Sequence, residues 1–178
     1  MRIIAGEWRG RRLRAPEGRN TRPTADRVRE TLFAMLASRL GSFEGLRVAD
    51  LFAGSGALGL EALSRGAAHC TFVENDRDSL AALKANIATF DAPATVRPQS
   101  AVALAPAPSP FDLVLMDPPY GKGLADQALA VLRDRDWLAP SSWIAVETAR
   151  GEPLDAVGFA TDAVRPVGKA QISLLRPE

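Results

Sequence analysis

The chain has 178 residues, 47% of them hydrophobic and 24% charged, with a net charge of +1. That suits a single globular unit with a substantial core and excludes a disordered or low-complexity chain. Its longest wholly apolar runs are five or six residues, against the roughly 20 needed to cross a bilayer. Met1-Arg-Ile-Ile-Ala-Gly-Glu7 contains no apolar signal region. The lone Cys70 excludes an internal disulfide, and the single His69 leaves little for a zinc site, so no metal is expected. A soluble, cytoplasmic, monomeric protein is expected, with no membrane partner.

The charge is unevenly placed. Residues 1–29 carry nine arginines (Arg2, Arg9, Arg11, Arg12, Arg14, Arg19, Arg22, Arg27 and Arg29) against three acids, Glu7, Glu17 and Asp26. The remainder keeps 13 of the 22 basic and 18 of the 21 acidic residues. A basic arm on an acidic body suits contact with a polyanion, and arginine offers bidentate phosphate contacts and stacking. A merely solvated tail is the plainer account. Trp8 lies among these arginines, either as a stacking surface for a base or as a cap on the core.

In chain order, Arg2–Ala5 and Arg11–Arg14 flank Gly6 and Gly10 as a short β-hairpin with basic edges. After a polar connection from Pro16 to Pro23, Thr24 is a candidate N-cap and Asp26 sits in a first helical turn. Val28, Leu32, Met35, Leu36 and Leu40 give helix 24–40 one apolar face, and Gly41 ends it. Strands and helices then alternate. Val48–Phe52 is a strand, Ala57–Arg65 a helix, Cys70–Glu74 a strand and Asp76–Phe90 a helix. Thr95–Arg97 is a weaker strand, and residues 105–110 are a proline-rich loop. Asp112–Asp117 reads as a strand buried on both faces, followed by helix Leu124–Arg135 and strand Trp143–Thr148. Gly158–Val164 and Gln171–Leu175 make a final hairpin around Arg165–Gly168. Cys70 reads as core and His69 as surface. The pattern predicts an α/β fold with a mostly parallel seven-stranded sheet, helices on both faces and an antiparallel end. A basic extension over 1–40 would precede the main unit over 41–178.

Two segments carry chemistry. Asp50-Leu-Phe-Ala-Gly54-Ser-Gly56-Ala-Leu-Gly59 follows a strand and opens a helix, and Glu74 ends the next strand. This is the setting of a nucleotide-binding βαβ unit, with backbone amides near the ligand and a carboxylate for ribose hydroxyls. Asp50 would repel a pyrophosphate but favour the ammonium and sulfonium of S-adenosylmethionine, so the residues lean towards that cofactor over NAD. Asp117-Pro118-Pro119-Tyr120 ends a buried strand, where chemistry is expected in such a sheet. The Asp117 carboxylate and Pro118 carbonyl can accept both N–H bonds of a planar exocyclic amine, Pro119 stiffens the loop, and Tyr120 can stack on a flipped base.

Taken together these residues resemble a class I S-adenosylmethionine-dependent methyltransferase with a Rossmann-like fold. More narrowly the chain resembles the RsmD family, bacterial 16S rRNA guanine-N2 methyltransferases. The likeness is carried by Arg2-Ile-Ile-Ala-Gly6, Trp8-Arg-Gly-Arg11, Thr21–Phe33, Leu51–Gly66, Phe72–Asp76 and Asp117–Tyr120. The Arg-Pro-Thr-Ala-Asp-Arg-Val-Arg-Glu block within Thr21–Phe33 is its most specific part. The resemblance implies that Asp117, Pro118, Pro119 and Tyr120 surround the guanine amine. It implies a cofactor set of Asp50, Phe52, Gly54, Ser55, Gly56, Glu74, Asn75, Ser100 and Ala101. Arg9, Arg11, Arg12, Arg22 and Arg27 would face 16S rRNA within an assembled or assembling 30S subunit. The chain departs from the family at Gln99-Ser100-Ala101, which offers a hydroxyl near the expected adenine position, and at Val167-Gly168-Lys169-Ala170. DNA adenine-N6 methylation is the alternative within the same chemistry; a non-catalytic RNA-binding module and an NAD-dependent oxidoreductase are readings from other classes.

Overall fold

The computed structural model of the chain describes residues 1–17 and 23–178. Arg22 and the capping side chain of Thr24 lie outside what it describes.

Seven strands form one sheet. They are β1 (Arg47–Leu51), β2 (His69–Val73), β3 (Ala94–Arg97), β4 (Phe111–Met116), β5 (Leu138–Ala149), β6 (Phe159–Val167) and β7 (Ala170–Pro177). Their order is β3-β2-β1-β4-β5-β7-β6. β1 to β5 pair in parallel, and β7 runs antiparallel between β5 and β6. The chain steps outward from β1 to β3 and returns to lay β4 on the other side of β1. The connections leaving β1 and β4 therefore part in opposite directions and open a crevice at the carboxyl edge of the sheet.

Alternation along each strand feeds two cores. Val48, Leu113, Leu115, Ala145, Ile172 and Leu174 face one apolar cluster, shared with helices α1 (Pro23–Leu40), α2 (Ala57–Ser64) and α3 (Arg77–Phe90). Ala49, Leu51, Val114, Met116, Ile144 and Val146 face the other, closed by α4 (Leu124–Asp134). In that second cluster Trp137 is fully buried, stacks on Phe111 at 5.0 Å, and donates its indole N–H to the Ala105 carbonyl at 2.9 Å. Trp143 lies on the opposite face, half-buried under the Arg176 guanidinium. Cys70 is core. His69 is half-buried, with its ring 3.1 Å from the Thr95 hydroxyl, and burial and then Arg47 lower its pKa.

Several boundaries move from their sequence-based positions. α1 begins at Pro23, since proline suits the first helical position. β5 starts at Leu138, five residues before Trp143, by pairing Leu138 with Phe111 before a bulge. Arg165 and Pro166 are strand residues rather than a turn; β6 is the sheet's edge, where a proline costs no ladder bond, and the reversal falls at Gly168-Lys169.

The predicted N-terminal hairpin is reduced to a single antiparallel bridge between Arg2 and Arg12. Its backbone is bonded to α2 as well as to itself. Glu7 N–H donates to the Ser64 carbonyl at 2.8 Å, Trp8 N–H to the Ser64 hydroxyl at 3.0 Å, and that hydroxyl to the Ala5 carbonyl at 2.6 Å. A Cβ at Gly6 would sit 1.9 Å from the Ser64 carbonyl oxygen, so only glycine allows this approach. Ile4 and Ala5 N–H groups both donate to the Glu61 carboxylate, at 2.9 and 3.0 Å. Glu61 is fully buried and is paired with Arg65 at 3.0 Å. Arg29, also buried, donates to the Arg2 carbonyl and pairs with Asp26 at 3.2 Å. Burial lowers the Arg29 pKa, opposed by Glu61 and then Asp26, and its bond to the Arg2 carbonyl ties α1 to the arm. Trp8 resolves as a core residue: it is buried against Phe90 with ring centroids 4.8 Å apart, and its ring is not a free stacking surface.

Candidate active site

A cleft of about 930 Å³ opens at the carboxyl edge of the sheet, where the turn after β1, the end of β2, the loop after β4 and the end of β5 converge. Every predicted cofactor and catalytic residue lines it except Gly56.

The β1 turn supplies Phe52, Gly54 and Ser55. Phe52 holds a left-handed φ of 58°, strain of the kind that collects at functional sites. Gly56 lies behind the turn as the N-cap of α2, with φ 86°; a Cβ there would meet the Leu83 side chain at 2.5 Å, so this glycine shapes the loop without lining the cleft. At the end of β2 the Glu74 carboxylate accepts three backbone N–H groups. Gly54 donates to Oε1 at 2.8 Å, while Asn75 and Asp76 donate to Oε2 at 2.8 and 2.9 Å. Each carboxylate oxygen has two lone pairs, so acceptor capacity facing the cleft remains on Oε1.

Asp50, next to last in β1, is almost fully buried, and its Oδ2 accepts the Gly59 N–H of α2 at 2.9 Å. Burial pushes its carboxyl well above the usual carboxylate range; the Gly59 bond offsets part of the rise and Glu74 adds to it. A ligand cation beside it would restore the ionised form. Gln99, Ser100 and Ala101 line the cleft, and the Ser100 hydroxyl accepts the Val102 N–H at 3.3 Å.

Across the cleft, Asp117 and Tyr120 leave β4 and meet Glu147 near the end of β5. The Tyr120 hydroxyl donates to Glu147 Oε1 at 2.5 Å, and Asp117 lines the same cleft. Asp117 is open to the cleft but enclosed by protein on its other sides. That enclosure, then Glu147 and then Asp50, raise its pKa well above the ordinary value. Burial raises Glu147 as well, with the Tyr120 and Asp117 hydrogen bonds pulling the other way. The Tyr120 phenol is raised by burial and then by Glu147, so it stays a donor; 44% of its surface remains exposed. The loop is pinned once more by Glu152, whose Oε1 accepts the Gly121 N–H and whose Oε2 accepts the Ala149 N–H, both at 3.0 Å.

Three contributors escaped the sequence reading. Glu147 had a usable signal, an acid closing the apolar run Trp143-Ile-Ala-Val, the same pattern that marks Asp117. Asn86 and Glu152 had none. Asn86 is buried on α3, accepts the Arg14 N–H at 2.8 Å and donates to the Arg14 and Ser55 carbonyls at 2.9 Å, contacts spanning 72 and 31 residues.

Of the predicted RNA contacts, the described Arg9, Arg11, Arg12 and Arg27 do not line the cleft. Arg9, Arg12 and Arg27 are exposed. Arg11 is exposed too, but lies 4.4 Å over the Phe90 ring and donates to the Thr89 carbonyl at 3.2 Å. Met1, Ala15 and Pro16 of the arm do border the cleft. No helix among the described residues is long and apolar enough to cross a membrane.

This architecture and sequence have known counterparts. The family described as Conserved hypothetical protein 95 matches residues 1–175. The Ribosomal RNA small subunit methyltransferase D of Escherichia coli is 45% identical over 150 residues, 83% of this chain and 74% of that protein. Its Haemophilus influenzae namesake is 44% identical over 160 residues, 86% and 81% of the two chains. The solved structure of the Escherichia coli protein yhhF superposes with a TM-score of 0.86 at 40% identity, covering 100% of this chain and 98% of that one. Likeness along nearly the whole length, in sequence and in fold, makes this chain a member of the family matched as Conserved hypothetical protein 95, the RsmD methyltransferases.

Proposed function

We propose that the chain transfers a methyl group from S-adenosylmethionine to the exocyclic N2 amine of a guanine in 16S rRNA, acting in the cytoplasm as a monomer on an assembled or assembling small subunit. The observation that carries this reading is the meeting of Glu74 and the glycine turn with Asp117–Tyr120 in one cleft, within a chain related to ribosomal RNA methyltransferases. The cleft's donor set fits the cofactor. Asp50, Glu74, Asp76, Asp117 and Glu147 outnumber Lys122 among the charged side chains lining it, which favours a ligand bearing positive charge and opposes a pyrophosphate.

Glu74 would accept a ribose hydroxyl through its free Oε1 lone pair, and the backbone of Gly54 and Ser55 would border the ligand's chain. Asp50 would face its ammonium, while Asn75, Ser100 and Ala101 would flank its base. When bound, the cofactor supplies an electrophilic methyl group on a sulfonium. A guanine amine is a weak nucleophile because its lone pair is delocalised into the ring. Asp117 and the Pro118 carbonyl would accept its two N–H bonds and localise that pair, with Pro119 stiffening the loop and the exposed Tyr120 ring stacking on the base. Arg9, Arg12 and Arg27 would add affinity through phosphates without reading sequence. The relatives named for ribosomal RNA weigh against adenine-N6 methylation of DNA.

Labelled methyl transfer tests this directly, comparing small subunits lacking the modification with naked 16S rRNA and duplex DNA. N2-methylguanosine in the subunit alone is expected; N6-methyladenine in DNA would overturn the reading. Charge reversal at Arg9 and Arg12 should also lower the steepness of the salt dependence of RNA binding by about 1.5, near 0.7–0.9 per lost phosphate contact. An unchanged slope would reduce the arm to a solvated surface.

A further inference from the structure

We propose that Asn86 is a positioning residue for the methyl donor: it fastens the N-terminal arm to the glycine turn, so that RNA held by the arm tightens donor binding in the cleft. The inference rests on the methylation reading above and adds how its two ligands are linked. Asn86 is buried on α3, and its one amide serves two segments. Oδ1 accepts the Arg14 N–H at 2.8 Å, while Nδ2 donates to the Arg14 and Ser55 carbonyls, each at 2.9 Å. The partners fix the amide's orientation, because an N–H needs the oxygen and the carbonyls need the nitrogen.

The clasp is built on one face of α3. Ser79, Leu83 and Asn86 stand four and three residues apart, a spacing that aligns side chains along a helix. Ser79 lines the cleft, and Leu83 packs where a Cβ on Gly56 would fall. Asn86 then joins Ser55, a cleft residue of the turn, to Arg14 of the arm, and Ala15 and Pro16 line the cleft directly after it. Leu13 N–H donates to the carbonyl of Met1 at 2.9 Å, and Met1 lines the cleft as well. The α2 anchorage engages residues 4–8; at Arg14 the arm is bonded to Asn86 instead. Arg14 is exposed, as are Arg9, Arg11 and Arg12, although its backbone is held in this clasp. Phosphates on these arginines and a donor against Ala15 and Pro16 favour the same placement of the arm. Such coupling is reciprocal, so each ligand strengthens the other.

Calorimetry with S-adenosylmethionine tests the link, using poly(U) as an RNA that carries phosphates but no target guanine. Saturating poly(U) at low salt should tighten donor binding to the unmodified protein about fivefold, the lower end of ordinary coupling between sites. Asn86→Ala should weaken donor binding about tenfold, as the loss of one or two hydrogen bonds would, and abolish the effect of poly(U). In methyl-transfer assays on small subunits its donor KM should rise about tenfold, with kcat at saturation within about twofold. A variant that is merely destabilised would instead bind fewer donors per chain at unchanged affinity. Unchanged donor affinity in the variant, or a donor affinity of the unmodified protein that poly(U) leaves unmoved, would overturn the inference while leaving the methylation reading intact. The poly(U) comparison needs no substitution, so it decides the matter even where the variant does not fold. An unmodified protein that fails to bind S-adenosylmethionine would overturn both.

Discussion

On the β1–β2 side of the cleft the Glu74 carboxylate is gripped by three backbone N–H groups, whereas on the β4–β5 side Tyr120 and Glu147 hold each other through side chains, with Asp117 lining the same cleft. Backbone donors are set by the fold and survive every substitution but proline, so the first half is shaped before any ligand arrives. The second half is made of titratable groups whose charge depends on one another and on pH. Under the proposed function, recognition falls to the rigid side and chemistry to the adjustable one.

Substitutions can break that contrast. Asp117→Ala should cost about a thousandfold in turnover, within the range of general-base catalysis. Its affinity for S-adenosylmethionine should stay within about twofold by calorimetry; a comparable loss of affinity would mean that the halves are not separable. Glu74→Ala should do the reverse. Donor affinity should fall about 10- to 100-fold, as expected for hydrogen bonds to a charged group, with most turnover recovered at saturation. Glu152→Ala, which frees the Gly121 and Ala149 amides, should lower kcat about fivefold, the equivalent of roughly 1 kcal/mol, with donor binding unmoved.

Asp50→Asn sharpens the contrast through stability. Burial holds the folded-state pKa of Asp50 above its ordinary value, so the folded protein binds more protons and loses stability as pH rises through that pKa. The asparagine keeps an acceptor for Gly59 N–H without the charge. Its ligand-free melting temperature at pH 7 should rise by about 2–4 °C, the shift expected for about 1 kcal/mol in a chain of this size. The gain should vanish below about pH 3, where the aspartate is neutral in both states. A gain that persists there would locate its origin in packing.

Glycine spacing after an apolar strand, the acid ending β2 and Asp117–Tyr120 were legible because each is a local pattern whose place in the sheet follows from strand alternation. Strand interiors were legible for the same reason. Strand ends were not: β5 reaches back to Leu138 because of pairing with β4, a partner 27 residues away in the chain. Trp8 was open between two uses until Phe90 was seen beneath it. Asn86 and Glu152 resemble any polar residue on a helix or loop; their roles come from partners brought up by the fold. The arginine arm was legible as charge, but its attachment to α2 runs through Glu61 and Ser64, residues inside a segment that otherwise reads as an ordinary apolar helix.

That attachment limits how the chain can be shortened. Glu61 has no access to solvent, and the arm supplies two of the hydrogen bonds that make its charge tolerable there. Removal of residues 1–17 would leave Arg65 as its remaining described ion-pair partner and would take Ile3, Trp8 and Leu13 out of the apolar cluster they help to fill. A trimmed protein made to separate methyl transfer from RNA affinity would test stability instead. Point changes at the exposed Arg9, Arg12 and Arg27 can separate the two, because those side chains leave the α2 anchorage in place.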